Sequence, residues 1–92
     1  MIIRYFAYFR KASGCKEETI LLAPLNALDL LKKLSELHGA DLARQLLDKN
    51  VTEIHPDVIF LIDGRNIDFI EGQNSIVPED AVVSLFPRVA GG

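Results

Sequence analysis

Hydrophobic alternation with a period of two opens the chain. Ile3, Tyr5, Ala7 and Phe9 fall on one face of an extended segment, and Arg4, Phe6 and Tyr8 on the other, which predicts a strand over residues 2–9. Apolar side chains on both faces mark this strand as central in its sheet. Lys11-Ala12-Ser13-Gly14 supplies turn residues, and residues 17–23 read as a second strand, antiparallel to the first, with Ile20 and Leu22 inward. After Pro24 the period lengthens to that of a helix. Ala27, Leu30, Leu31, Leu34 and Leu37 form one apolar stripe, with Lys32, Lys33 and Glu36 outside it. Asn26 is placed to cap this helix, Asp29 lies in its first turn, and Gly39 is a stop signal. A shorter helix is predicted over residues 41–48 through Leu42, Leu46 and Leu47, followed by an irregular stretch over 50–56. Residues 57–62 form a strongly apolar strand that turns at Asp63-Gly64 and returns over 65–69. A loop at 72–75 and Pro78 at the second position of a turn precede the last strand, residues 81–86, which Pro87 terminates. Val83 and Leu85 point inward there, placing Val82, Ser84 and Phe86 on the opposite face beside Phe6 and Tyr8.

The order is therefore β-β-α-(α)-β-β-β. The first and last strands are the most apolar, so they are expected side by side in the sheet centre, and the helical connection between them favours a parallel pairing. The predicted class is α+β with the β-grasp, or ubiquitin-like, arrangement. It comprises a mixed four- to five-stranded sheet, one main helix across one face and a shorter second helix. A single domain spans residues 1–92, with a flexible C-terminal tail over 88–92. One helix covers one sheet face, so Phe6, Tyr8 and Phe86 are expected to form a partly exposed patch that docks a partner.

Composition narrows the function classes. The chain has 92 residues, enough for one core, with 49% hydrophobic and 25% charged residues in globular proportion. The net charge is −3 and the basic residues are scattered, which excludes the clustered basic face that nucleic acid requires. Cys15 is the sole cysteine, so no internal disulfide forms, and beside a turn it reads as incidental. No basic leader and no apolar run of spanning length occurs, so no membrane association and a cytoplasmic location are expected. His38 and His55 stand alone along the chain, and no metal site is expected. No glycine-rich phosphate loop, nucleophile elbow or paired-carboxylate motif occurs, so no tightly bound cofactor is expected. The remaining chemistry is at Val89-Ala90-Gly91-Gly92. Glycines thread channels closed to other residues, and the reacting group would be the α-carboxylate of Gly92. A carboxylate is a poor electrophile, so it would need activation with ATP by a partner.

With this topology and the tail Leu85-Phe86-Pro87-Arg88-Val89-Ala90-Gly91-Gly92, the chain resembles the MoaD/ThiS family of ubiquitin-like sulfur carriers, and within it the small subunit of molybdopterin synthase (MoaD). Tyr5-Phe6-Ala7, the Leu30-Leu31 and Leu34 helix and the Asp63-Gly64 turn also carry the resemblance. It implies that an E1-like (MoeB-like) enzyme uses ATP to adenylate Gly92, and that a sulfurtransferase persulfide converts the adenylate to a thiocarboxylate. The large (MoaE-like) synthase subunit then takes that covalently carried sulfur for molybdopterin. The chain is a sulfur-donating co-substrate in this scheme; Phe6, Tyr8, Phe86, Pro87 and Arg88 contact partners, and Val89, Ala90 and Gly91 carry Gly92 into their sites. The chain departs from the family pattern in having Arg88 where a second proline is common, a longer stretch over 39–56, and Pro78-Glu79-Asp80 where Asp-Gly-Asp is frequent. Ile67-Asp68-Phe69-Ile70-Glu71-Gly72 resembles longer carriers that serve cysteine or other thiometabolites. Thiazole, cysteine or tungsten-pterin synthesis therefore stay open as recipients. So do a ubiquitin-like modifier joined to lysines through Gly92 and a plain binding module.

Overall fold

The segments with the most regular alternation form the middle of a sheet. In the computed structural model, which describes residues 1–88, β7 (Val82–Pro87) alternates half-buried and buried positions, and β4 (Val58–Ile62) alternates in the same way. β1 (Ile2–Tyr5) runs parallel to β7, from Ile2 opposite Val82 to Tyr5 opposite Leu85. β4 runs antiparallel along the other edge of β7, with Ile59 opposite Phe86 and Leu61 opposite Ser84. β2 (Glu17–Thr19) flanks β1 and β5 (Arg65–Asn66) flanks β4, giving the order β2-β1-β7-β4-β5. The expected mixed sheet and its parallel central pair are both present. A second, two-stranded sheet joins β3 (Leu25–Asn26) to β6 (Ile76–Val77).

The main helix, α2 (Ala27–His38), forms where the stripe predicts it. Asn26 Oδ1 accepts a hydrogen bond from the Asp29 N–H at 2.8 Å, satisfying one of the free donors of the first turn. Gly39, with φ 103°, closes the helix by donating to the Ser35 carbonyl. Leu30, Leu31 and Leu34 are fully buried in one core with Ile3, Tyr5, Val83 and Leu85 from the strands. Leu37, by contrast, is 60% exposed. The buried face continues from Leu34 by four residues to His38, which lies closer to its axis than a step of three does. A third helix, α3 (Ala40–Leu46), packs on α2 and adds Leu42 and Leu46 to the same core.

The first strand is shorter than its alternation predicts. Ala7 adopts φ 52° and ψ −135°, a conformation that L-residues rarely take, and the strand ends there. Residues 8–13 coil into α1 (Tyr8–Ser13), stopped by Gly14 in the left-handed region at φ 78°. Phe9 still reaches the core, at 1% exposure, but from this helix. The second strand likewise covers only 17–19, with Ile20 and Leu22 packed against the core beyond it. The return after the Asp63-Gly64 turn is two residues of strand and then a 3₁₀ turn over Ile67–Phe69, because Asn66 Oδ1 accepts from the Asp68 N–H and starts a helical turn instead. A second 3₁₀ turn occupies Gly72–Asn74. Pro78 opens its turn rather than taking the second position, its carbonyl accepting from the Ala81 N–H at 3.1 Å. Among the described residues, no helix is long and apolar enough to cross a membrane.

Two substitutions measure these contacts by chemical denaturation. Asn26→Ala is expected to cost about 1 kcal/mol and Asn26→Gly a few tenths, because glycine also tolerates the cap position. Leu34→Ala, at a site with no solvent exposure, is expected to cost roughly 2–5 kcal/mol through lost burial and the cavity left behind.

Candidate functional site

The alternation that buries Val83 and Leu85 turns Val82, Ser84 and Phe86 to the opposite face of the sheet, where they are half-buried. Ile59 and Leu61 of β4 share that face, since they pair with Phe86 and Ser84 across the ladder. Ile2 and Arg4 of β1 complete it, with Arg4 held by Glu17 at 3.1 Å. α3 packs on α2 and α1, and α1 also meets β1 and β7.

At the end where β7 leaves the sheet, the ladder extends one residue past β1, the Phe6 N–H donating to the Leu85 carbonyl at 3.1 Å. The Phe6 ring stacks on Phe86 with centroids 4.1 Å apart and planes 11° from parallel. The Arg10 guanidinium lies 5.4 Å from the Phe6 ring centre, and its Nε donates to the Tyr5 carbonyl at 2.9 Å. Stacking of this kind adds about 0.5–1.5 kcal/mol beyond area burial, and an exposed cation over a ring about 0.5–1 kcal/mol. Three groups on separate elements thus hold one another at the strand exit. Arg4 and Glu17 pair with one another on this face, and Ile2, Ile59, Leu61, Val82 and Phe86 give it an apolar surface of the kind that binds a partner.

The residues expected at this site divide. Phe6 and Phe86 come together. Tyr8 does not join them: the break at Ala7 moves it onto α1, where it is 53% exposed and meets Phe9 edge-on at 5.2 Å. Pro87 is buried opposite Val58 at the end of the strand. Arg88 keeps the backbone on the sheet, its N–H donating to the Asp57 carbonyl at 2.6 Å, while its exposed side chain borders a hollow shared with His55, Asp68 and Gln73. Val89, Ala90, Gly91 and Gly92 lie outside the described residues. Sequence reasoning passed over Ile59 and Leu61, although alternation along Val58–Ile62 was the signal that could have placed them. Arg10 gives no such signal, because the residue pattern over 8–14 is that of a strand and a turn.

On the inner side of the same sheet end a polar group is enclosed. Glu18 pairs with Ile3 across β1 and β2, so it faces the helices. Its Oε2 accepts from the Tyr5 hydroxyl at 2.5 Å and shares a hydrogen bond of 2.5 Å with His38 Nε2. Burial, then the hydrogen bond and the negative charge of Glu18, push the Tyr5 phenol far above its ordinary range, so it remains a neutral donor. Cys15 approaches the same pair. The histidine that looks isolated along the chain therefore has both a carboxylate and a thiol beside it in space.

Comparison with known proteins agrees with this architecture. The ThiS family profile matches residues 3–92. A candidate sulfur carrier protein of Archaeoglobus fulgidus is 35% identical over 68 residues, which is 74% of this chain and 75% of the relative. The solution structure of the Haloferax volcanii HVO 2177 protein is similar with TM-score 0.75 and 30% identity, over 99% of this chain and 84% of that one. A chain of the Amycolatopsis orientalis BexX/CysO complex gives TM-score 0.79 at 18% identity, over 99% and 98% of the two chains. A Pyrococcus furiosus protein, a candidate for subunit 1 of the molybdopterin converting factor, gives 0.71 at 24%, over 96% and 95%. These last two establish the fold alone. With the family match spanning nearly every residue and the β-grasp sheet in place, the chain belongs to the ThiS family and is a ubiquitin-like sulfur carrier.

Proposed function

We propose that the chain carries sulfur on Gly92 for molybdopterin synthesis. The observation that supports this reading best is that the family match runs through residue 92, while β7, which leads into those last residues, leaves the sheet beside the Phe6–Phe86 stack. A rigid strand exit next to an apolar face lets a partner grip the domain and receive the tail in one docking geometry. The carboxylate of Gly92 would attack the α-phosphate of ATP on an E1-like enzyme, expelling pyrophosphate and leaving an acyl-adenylate. A persulfide sulfur of a sulfurtransferase then displaces AMP, and thiol cleavage of the resulting acyl disulfide releases the thiocarboxylate. The large synthase subunit would use that sulfur on a pterin precursor. The tail sequence Phe86-Pro87-Arg88-Val89-Ala90-Gly91-Gly92, which resembles that of the molybdopterin synthase small subunit, supports the pterin among the possible recipients.

Intact mass spectrometry of the protein from its native cells is expected to show a species in which one oxygen is replaced by sulfur, absent when Gly92 is deleted. Adducts at the mass of other cellular proteins, joined to lysine, would assign it as a modifier instead. Conversion of a pterin precursor by the thiocarboxylated protein with the large synthase subunit tests the recipient; failure there, with sulfur transfer to another acceptor, would move the assignment.

The outer face is tested separately. Phe86→Ala is expected to weaken binding to the E1-like adenylating enzyme by about 1–2 kcal/mol, roughly five- to thirtyfold, as truncation of a central aromatic anchor does. Tyr8→Ala, on α1 and away from the stack, is expected to change it little. Equal losses from both would remove the face from the docking site.

A further inference from the structure

Cys15 from the turn after α1, Glu18 from β2 and His38 from the end of α2 bring their ligating atoms within 4.8 Å of one another. Each is delivered by a distinct local feature. Gly14, with φ 78°, closes α1 and turns the chain so that Cys15 falls just before β2. The pairing of Glu18 with Ile3 aims the carboxylate at the helices. His38 continues the buried face of α2 four residues after Leu34. All three side chains are half-buried, so the pocket they form is reachable from solvent.

Thiolate, imidazole and carboxylate together are a donor set for zinc and its borderline neighbours, and not for calcium or magnesium. Ligands held about 2.0–2.3 Å from a tetrahedral zinc ion stand roughly 3.3–3.8 Å apart. His38 and Glu18, now 2.5 Å apart, would separate by about an ångström and Cys15 would close by a similar amount, within the reach of side-chain rotation. The surroundings already resemble an outer ligand shell. Tyr5, with no solvent exposure, donates to Glu18 at 2.5 Å, and its ring backs His38 edge-on at 5.8 Å.

We propose that Cys15, Glu18 and His38 bind one divalent ion of the zinc class, with Tyr5 as the positioning residue for Glu18. Three protein ligands leave a fourth position facing solvent, which water fills. Binding replaces the His38–Glu18 hydrogen bond with two metal–ligand bonds, leaves the neutral imidazole with its one proton on Nδ1, and releases the thiol proton of Cys15 to solvent. The ion would clip the C-terminal end of α2 to the β1–β2 hairpin. Nothing in this site draws on the chemistry of residues 89–92.

The test is titration of the full chain, stripped with chelator, with Co²⁺ alone and with Zn²⁺ alone. One equivalent of Co²⁺ is expected to bind with a near-ultraviolet thiolate-to-metal absorption, and Zn²⁺ to displace it and raise the thermal midpoint. Cys15→Ser should abolish the absorption and weaken Zn²⁺ binding by at least about tenfold, and His38→Gln should weaken it comparably. Tyr5→Phe should keep the absorption while costing about ten- to a hundredfold in affinity, the signature of a positioning group. Absence of stoichiometric binding, or an affinity that Cys15→Ser leaves unchanged in a protein of native circular dichroism, would overturn the site and leave Glu18 as a hydrogen-bonding hub for Tyr5 and His38.

Discussion

The parallel ladder between β1 and β7 is the constraint on which the rest of the molecule depends. It joins the second residue of the chain to the eighty-second, in register from Ile2–Val82 to Tyr5–Leu85. A parallel neighbour cannot be reached by a hairpin, so the intervening chain has to cross over the sheet, and α2 is that crossover. Pairing in register also synchronises the two strands. Ile3 lies beside Val83 and Tyr5 beside Leu85, all fully buried, and their neighbours in sequence all face the other way. A slip of one residue would carry the entire apolar set to the outer face.

That synchrony separates two surfaces with different physical tasks. The inner surface is closed by Leu30, Leu31 and Leu34 of α2, and its contribution is stability. The outer surface keeps Phe86, Ile59 and Leu61 half-exposed, an arrangement that costs the isolated domain some burial and suits a partner able to complete it. Because β1 and β7 run in the same direction, both end at one edge of the domain. Phe6 and Phe86 therefore meet, and the chain departs for its C-terminus from a point fixed by stacking and by the Arg88–Asp57 backbone bond.

How much of this is legible in the sequence depends on whether the determining contact is local. The α2 helix is legible because its stripe, its Asn26 cap and its Gly39 stop all lie within its own residues. The alternation of β4 and β7 is legible for the same reason. The end of β1 is not. Tyr8 and Phe9 continue the period of two, and the turn that breaks it rests on an alanine at φ 52° where a glycine would have been the readable signal. A six-residue helix such as α1 is also too short for its own periodicity to register against the strand pattern. Leu37 misleads in the opposite way: the spacing fits the stripe, but the fold places His38 on the buried side. The Cys15–Glu18–His38 group depends on a non-local contact, since Glu18 and His38 are brought together only by the β1–β2 register and the length of α2.

Adjacent residues at the end of β1 carry the two functional readings apart. Tyr5 points inward to Glu18 and His38; Phe6, next in the chain, points outward to Phe86. A protein gripping the outer face therefore leaves the inner polar group uncovered, and a change at that group reaches the outer face only through the backbone of residues 5 and 6. That backbone is stiff. The Tyr5 N–H donates to the Lys16 carbonyl, the Tyr5 carbonyl accepts from Arg10, and the Phe6 N–H donates to Leu85. Tightening the inner group would thus be felt as rigidity at the strand exit and not as a displacement of it. The sheet, by alternating sides at each residue, lets one end of the domain hold a polar cluster and present an apolar docking face without either competing for the same space.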